Sequence, residues 1–184
     1  MYLDIGFVSQ LNFGAGNNMN DPTGCWYASA SMIGFAYEAG PRLGIPQLYS
    51  RPITHADGSS GTGHWAMELG WVDTLMKNEN LVKLDGGLPD KPVLIATALK
   101  KWGPLMLSWW KTNQNGASYG HASVLIGIEK DIVILHDPEN APRSRIPLSD
   151  FYPRYQKMAG AGQIWWPVLR RNAPAFSYTG KVVG

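Results

Sequence analysis

A single cysteine stands in the stretch TGCWYAS, residues 23–29, beside a Trp and at the head of a run with helical spacing. Two chemistries fit an isolated thiol. It can pack as a small hydrophobe, or it can act as a nucleophile, which then requires a histidine and a group to orient that histidine. The chain offers four histidines: His55, His64, His121 and His136. His55 falls in the Gly/Ser-rich stretch PITHADGSSGTG and reads as exposed or bonded to a turn. His64 opens a helical pattern, a polar position that requires no chemistry. With Asp57 these two lack the compact spacing of a metal site. One cysteine also rules out an internal disulfide and a thiolate-rich metal centre.

His121 is different. In SYGHASVLI it stands at the mouth of an almost wholly apolar run, just after a glycine that permits close approach of another element. It reads either as a core-edge histidine bonded to backbone or as a general base. His136 and Asp137 close the next apolar run, DIVILHDP. If the two runs pair antiparallel across the turn at Glu129–Asp131, residue 122 faces about residue 138. The start of one strand and the end of the other then lie side by side. Adjacent strand residues point to opposite faces, so only one of His136 and Asp137 shares the face of His121. Asp137 in that place would orient the imidazole and fix its tautomer. Cys25 at a helix N-terminus would have its thiolate favoured by the helix dipole and a neighbouring imidazolium. These are the nucleophile, base and orienter of acyl transfer. The Cys25 backbone N–H supplies one oxyanion donor, and a side-chain amide from the preceding loop would supply the second.

The elements that must position these groups follow from periodicity. A short strand is expected over 3–8 and a polar loop over 9–24. A helix runs from Cys25 to about Ala39, with Ala28, Met32, Phe35 and Ala36 on one side. Thr23 or Asp21 would cap it and Gly40-Pro41 would end it. Its lack of charge predicts burial on most sides. After a loop-like stretch over 41–63, of which 50–63 could cover the cleft or be disordered, a second helix is expected over 64–78, with Trp65, Leu69, Val72 and Met76 as its apolar set. A third is expected over 91–101, where Pro92 fits the first turn. Strands are expected over 104–110, 121–129, 131–138 and 163–169, the last at an edge or bulge because of Pro167. Helices first and antiparallel strands second predict an α+β fold. Trp65, Trp71, Trp109 and Trp110 read as core before they read as subsite walls.

The 184 residues suit one catalytic domain over 1–171, followed by a C-terminal tail over 172–184 without usable periodicity. With 45% hydrophobic and 16% charged residues the balance is globular. A net charge of +2 without a basic stripe argues against a nucleic-acid partner. The opening MYLDIGFVSQ does not read as a secretion signal, and no apolar run has membrane-spanning length, so no membrane anchor is expected. Neither a metal nor another cofactor is expected.

Gln10, TGCWYASASM, KKWGPLML and GHASVLIGIEKDIVILHDPEN, in that order, resemble the papain-like cysteine peptidases, in particular their compact bacterial AvrRpt2-like and C39-like branch. The resemblance implies a papain-like fold, an N-terminal helical half whose catalytic helix packs on an antiparallel sheet. It implies a Cys-His-Asp triad of Cys25, His121 and Asp137 that hydrolyses peptide bonds in a protein or peptide substrate. In that family a Gln before the Cys-Trp helix donates to the oxyanion, a role that falls on Gln10. Gln10 lies farther upstream of the cysteine than is usual, Met19 occupies the nearer position, and Asn20 is the rival donor. The same triad would serve a peptidoglycan amidase, a deamidase or a transglutaminase-like enzyme. A papain-like domain kept as a non-catalytic binding module is the reading without chemistry. Compact members act as leader-peptide processors attached to exporters, or as effectors and toxins. The lack of an anchor favours the second setting: a bacterial protein, cytoplasmic as synthesised and delivered into a target cell by a secretion system. A toxin of this kind implies an immunity protein covering the cleft.

Overall fold

Alternating and continuous apolar residues dominate 105–136, and this stretch forms the centre of the sheet. The computed structural model describes residues 1–11, 23–38, 42–49, 52–54, 58, 60–62, 67–139, 141–159, 166–172 and 181–184. In chain order its elements are β1 (Tyr2–Leu3), α1 (Cys25–Phe35), α2 (Pro46–Tyr49), β2 (Pro52–Thr54), β3 (Ser60–Thr62) and a 3-10 turn (Leu69–Trp71) running into α3 (Val72–Asn78). There follow β4 (Leu81–Lys83), α4 (Pro92–Trp102), β5 (Leu105–Thr112), β6 (Ser118–Glu129), β7 (Ile132–His136), β8 (Ser144–Pro147), α5 (Leu148–Ala159), β9 (Leu169–Arg171) and β10 (Val182–Val183).

β6 organises the sheet. Along its first half it pairs antiparallel with β5, from Thr112↔Ser118 to Leu105↔Leu125. On its other side β7 pairs from Val124↔His136 to Glu129↔Ile132, with a bulge between Leu125 and Gly127. Where β5 ends, β1 takes its place through Tyr2↔Gly127. β9 and β4 extend the sheet beyond β5, β8 extends it beyond β7, and β10 pairs with β1. The segment after Arg171, set apart above as a tail, therefore ends as an edge strand of the same sheet. β2 and β3 form a separate hairpin.

Side chains alternate across this sheet and build two cores. Met106, Ala122, Val124, Ile126 and Ile134 meet Ala28, Met32 and Ile33 of α1. Leu105, Leu107, Trp109, Leu125 and Leu135 meet Ile95 and Leu99 of α4 and Phe151 and Tyr155 of α5. The result is an α+β sandwich with the cysteine-bearing helix on one face of an antiparallel sheet. α1 is buried from Ala28 to Gly34, as its lack of charge predicts.

Several expectations need correction. The strand over 3–8 reduces to Tyr2–Leu3, and α1 stops at Phe35 rather than near Ala39. Gly24, not Thr23, holds the N-cap position of α1; Asp21 lies outside the described residues. Of the helix expected over 64–78, residues 64–66 lie outside the described residues and 69–78 form a 3-10 turn plus α3; the loop-like 41–63 contains α2 and the β2–β3 hairpin. β9 begins only at Leu169, past Pro167.

The larger miss is α5, a helix in the strand-rich half. Its buried residues Leu148, Phe151, Tyr155 and Met158 recur at helical spacing, but Pro153 lies inside it and reads as a breaker. An interior proline costs about 3 kcal/mol. Burying each large apolar side chain returns roughly 1.5–3 kcal/mol, so four of them outweigh the proline.

Candidate active site

Cys25 is the first residue of α1. Gly24 precedes it without a side-chain cap, so the positive end of the helix dipole acts on the cysteine itself. The thiol is half-buried and lines a cavity of about 370 Å³ with Trp26, Met67, Ser108, His121, Met158 and Trp166. Ala122 N–H of β6 donates to Cys25 Sγ at 3.4 Å. Helix and central strand thus meet at this sulfur.

The β5–β6 register sets the next layer. Asn113 Oδ1 accepts the N–H groups of Asn115 and Ala117, both at 3.0 Å, and folds a tight turn. Gly116 follows at φ 79, in the left-handed region. The ladder then aligns Lys111 with Tyr119 and Trp109 with His121. Residues two apart on a strand share a face, so all four occupy one face of the hairpin. At Gly120 an added Cβ would lie 3.0 Å from Met158 Cε, so the glycine before His121 admits α5.

On the other side of β6, Val124↔His136 sets the same register as residue 122 facing 138. Asp137 lies just past the strand and meets His121. The two lie at 2.7 Å, His121 Nε2 to Asp137 Oδ1, both side chains buried. With Nε2 on the carboxylate, Nδ1 is the ring nitrogen left for Cys25, which lines the same cavity. Trp109 and Tyr119 stand edge-on to the imidazole, with ring centroids 6.2 and 6.1 Å away.

Burial opposes charge at both members of this pair, and their partners overcome it. For His121, burial lowers the pKa, but the hydrogen bonds and charges of Asp137 and Cys25 raise it to about 9. For Asp137, burial raises the pKa, but the hydrogen bonds and charges of His121 and Lys111 lower it to about 2. At neutral pH the pair is imidazolium and carboxylate.

His136 takes the opposite part. Arg143 N–H donates to its Nδ1 at 3.1 Å, and Nε2 lies 3.1 Å from the Ile5 carbonyl, so it is a donor there. Phe7 stands edge-on to the ring. Burial holds its pKa below the usual histidine value. It is a neutral histidine fixed by backbone, on the face away from Asp137 and His121.

Gln10 is buried and tied to the same end of the sheet: its N–H donates to Pro138 O at 3.0 Å, and Ser9 Oγ reaches that carbonyl at 3.2 Å. Asn20, Met19, His55, Asp57, His64 and Trp65 lie outside the described residues. Trp109 is core, packed on Phe151 with its Nε1–H donating to Ser123 Oγ at 3.0 Å. Among the described residues, the tryptophans that line the cavity are Trp26 and Trp166.

Sequence reasoning missed Lys111, Tyr119 and Glu139. Lys111 Nζ donates to Asp137 Oδ2 at 2.8 Å and to Glu139 Oε2 at 2.6 Å, and Tyr119 OH donates to that Glu139 oxygen at 2.5 Å. His121, Asp137 and Glu139 bring ligand-type atoms within 4.8 Å of one another. The Lys111 ammonium already bridges the two carboxylates, which opposes a metal ion there.

A family model described as papain-like cysteine protease AvrRpt2 matches residues 9–156. The match spans Gln10, Cys25, His121 and Asp137. Among solved structures, the fold is similar to that of a C39-like peptidase candidate from Bacillus anthracis. The TM-score is 0.59 at 16% identity, covering 95% of this chain and 98% of that one. That likeness is one of fold, and it identifies the α+β architecture as papain-like.

Proposed function

This chain belongs to the AvrRpt2-like family of papain-like cysteine proteases, and from that premise we propose that Cys25, His121 and Asp137 are its catalytic triad, cleaving peptide bonds in a protein substrate. The observation that carries the reading is the buried His121–Asp137 hydrogen bond at 2.7 Å, which occupies Nε2 and leaves Nδ1 for Cys25, a residue lining the same cavity. The Cys25 thiolate attacks the scissile carbonyl carbon, forming a C–S bond and moving the carbonyl π electrons onto oxygen. Collapse of that oxyanion breaks the C–N bond, while Nδ1–H of His121 protonates the departing amine. Neutral His121 then takes a proton from water as its oxygen attacks the thioester, and the acid product leaves with the thiolate restored. Asp137 stays ionised throughout and holds the ring. The Cys25 N–H and the Gln10 side-chain amide are the proposed oxyanion donors, Gln10 being supported by its anchorage at the strand end beside Asp137.

The test pairs Cys25→Ser with mass-spectrometric capture of substrates from a target-cell extract. Cys25→Ser should lose more than about 10³-fold in turnover while retaining captured protein. Full activity in the variant would refute the mechanism, and captured peptidoglycan fragments or side-chain amides would redirect it to an amidase or deamidase. A wild-type cysteine alkylated no faster than a free thiol would point instead to a non-catalytic binding module. The proposal includes a bacterial effector or toxin setting, supported by the resemblance to compact bacterial members. In that setting an immunity protein covers the cleft. Co-expression with the neighbouring gene product, followed by size-exclusion chromatography, should give a complex; separate elution would count against it.

A further inference from the structure

Lys111 is a lysine buried beside the Asp137 carboxylate. Its side chain is 9% exposed, and a buried ammonium is costly unless carboxylates surround it. Here two do. Asp137 Oδ2 and Glu139 Oε2 take Nζ at 2.8 and 2.6 Å. The other Asp137 oxygen, Oδ1, accepts from His121 Nε2 and from the Glu139 N–H, the latter at 3.1 Å. Donors on both oxygens leave the carboxylate no free rotation. Glu139 is anchored in turn by the Tyr119 hydroxyl. A connected set therefore runs Tyr119–Glu139–Lys111–Asp137–His121–Cys25, assembled from β5, β6, the turn after β7, and α1.

Resting on the triad reading above, we propose that Lys111 is a positioning residue for Asp137 and, with Glu139, sets the charge to which His121 responds. Two carboxylates so close to an imidazole would over-stabilise its protonated form. Lys111 cancels one of them, so the lysine, aspartate and glutamate together present one net negative charge to His121. The groups facing the ring are Cys25 from α1, Asp137 from the turn after β7, and Tyr119 and Trp109 from the β5–β6 hairpin. Lys111 acts through the two carboxylates, and the Glu139 carboxylate lies within 4.8 Å of the ring nitrogen. Burial and the Glu139 hydrogen bond hold the Tyr119 phenol protonated far above its usual range, so it contributes a donor and no charge. A lysine that only filled space would be replaceable by methionine, which has a similar length, without effect on proton affinity.

Three variants test this: Lys111→Met, Glu139→Gln and the double substitution. The readout is titration of the His121 ring by long-range proton–nitrogen NMR, with the pH profile of Cys25 alkylation by iodoacetamide alongside. A charge within about 4–6 Å moves a pKa by about 1–3 units; Glu139 lies in that range but is partly exposed, so the effect should be at the low end, about one unit. Lys111→Met should move the His121 midpoint up by that amount, and Glu139→Gln should move it down. The double variant restores the net charge and should return near the wild type. Glu139 is partly exposed, so Glu139→Gln carries the test alone if Lys111→Met does not fold. A His121 midpoint unmoved in both single variants overturns the assignment of Lys111 while leaving the triad standing. A wild type in which Cys25 alkylation shows no histidine-linked inflection overturns both.

Discussion

Asp137→Asn removes one charge and keeps the shape. The His121 pKa stands at about 9 against an ordinary 6.5, a difference of about 2.5 units, or about 3 kcal/mol. Since burial works against that rise, the attraction from Asp137 and Cys25 together exceeds this figure. The depressed pKa of Asp137 reports the same contact from the other side, so the two shifts are not added. If Asp137 supplies about half of the attraction, its neutralisation drops the His121 midpoint to between about 7 and 8. Lys111 keeps Glu139 as its partner, so the local scaffold persists. The imidazolium, nearly fully populated at neutral pH in the wild type, would then be about half to nine-tenths populated at pH 7. The basic limb of kcat/KM on a cleaved peptide should move down by one to two units, to about 7–8, and activity at neutral pH should fall roughly 10–100-fold as orientation is lost. NMR titration of His121 should give the same midpoint. A limb that stays near about 9 in a folded Asp137→Asn protein would refute this account of what raises His121.

The remaining predictions concern stability and the second histidine. His136→Ala should cost about 2 kcal/mol in urea unfolding, since it strands the Ile5 carbonyl and the Arg143 N–H; a changed pH profile of Cys25 alkylation would contradict its structural role. The raised His121 pKa makes its contribution to stability full below about 6.5 and lost as pH rises through about 9, while that of Asp137 is full above about 3.8 and lost as pH falls through about 2. The unfolding free energy should therefore peak between about pH 4 and 6.5 and fall by up to about 3 kcal/mol at alkaline pH, a fall that Asp137→Asn reduces; a flat wild-type curve would exclude it. Gly127→Ala places a Cβ 2.5 Å from Tyr2 Cβ and 2.7 Å from Met1 O, so Tm should drop by an amount equivalent to about 1–3 kcal/mol, with cysteine reactivity unchanged. Glu79→Ala deprives buried Arg42 of a carboxylate at 3.7 Å and the Gly44 N–H of its acceptor at 2.5 Å, and should cost about 3 kcal/mol in urea unfolding; a loss below the error of that measurement would show the pair to be dispensable.

Where periodicity and register were strong, the sequence was readable. VLIGIE and DIVILH leave little choice but two adjacent strands, and their short connection sets which residues stand opposite. The approach of Asp137 to His121 follows from that arithmetic, and so does the exclusion of His136 from the same face. The next layer was hidden because KTNQNGASYG is composed like a loop. Its asparagine folds a turn instead, and the ladder continues through Lys111 and Tyr119. Only with that register does a lysine in the sequence become a buried partner of the Asp137 carboxylate. α5 was hidden by Pro153, and the short strands β4, β9 and β10 carry too few residues for any alternation to register. The polar stretch before Cys25, where Asn20 lies, falls mostly outside the described residues.

Among the described residues, the two buried histidines show what distinguishes chemistry from packing in this fold. Both close off apolar strands and both are almost wholly shielded from water. His136 is satisfied by two backbone groups, which ask nothing of its charge, and burial leaves it neutral. His121 is satisfied by a carboxylate and a thiol, partners that stabilise its charged form against the same burial. Packing alone gives no reason to keep Lys111, Asp137 and His121 buried together, since apolar residues of the same volume are often neutral or stabilising in place of a buried ion pair. What an apolar replacement could not do is hold an imidazolium against a helix-borne sulfur with one ring nitrogen fixed. The cost of burying three charges is intelligible if that imidazolium is the proton donor for a leaving amine.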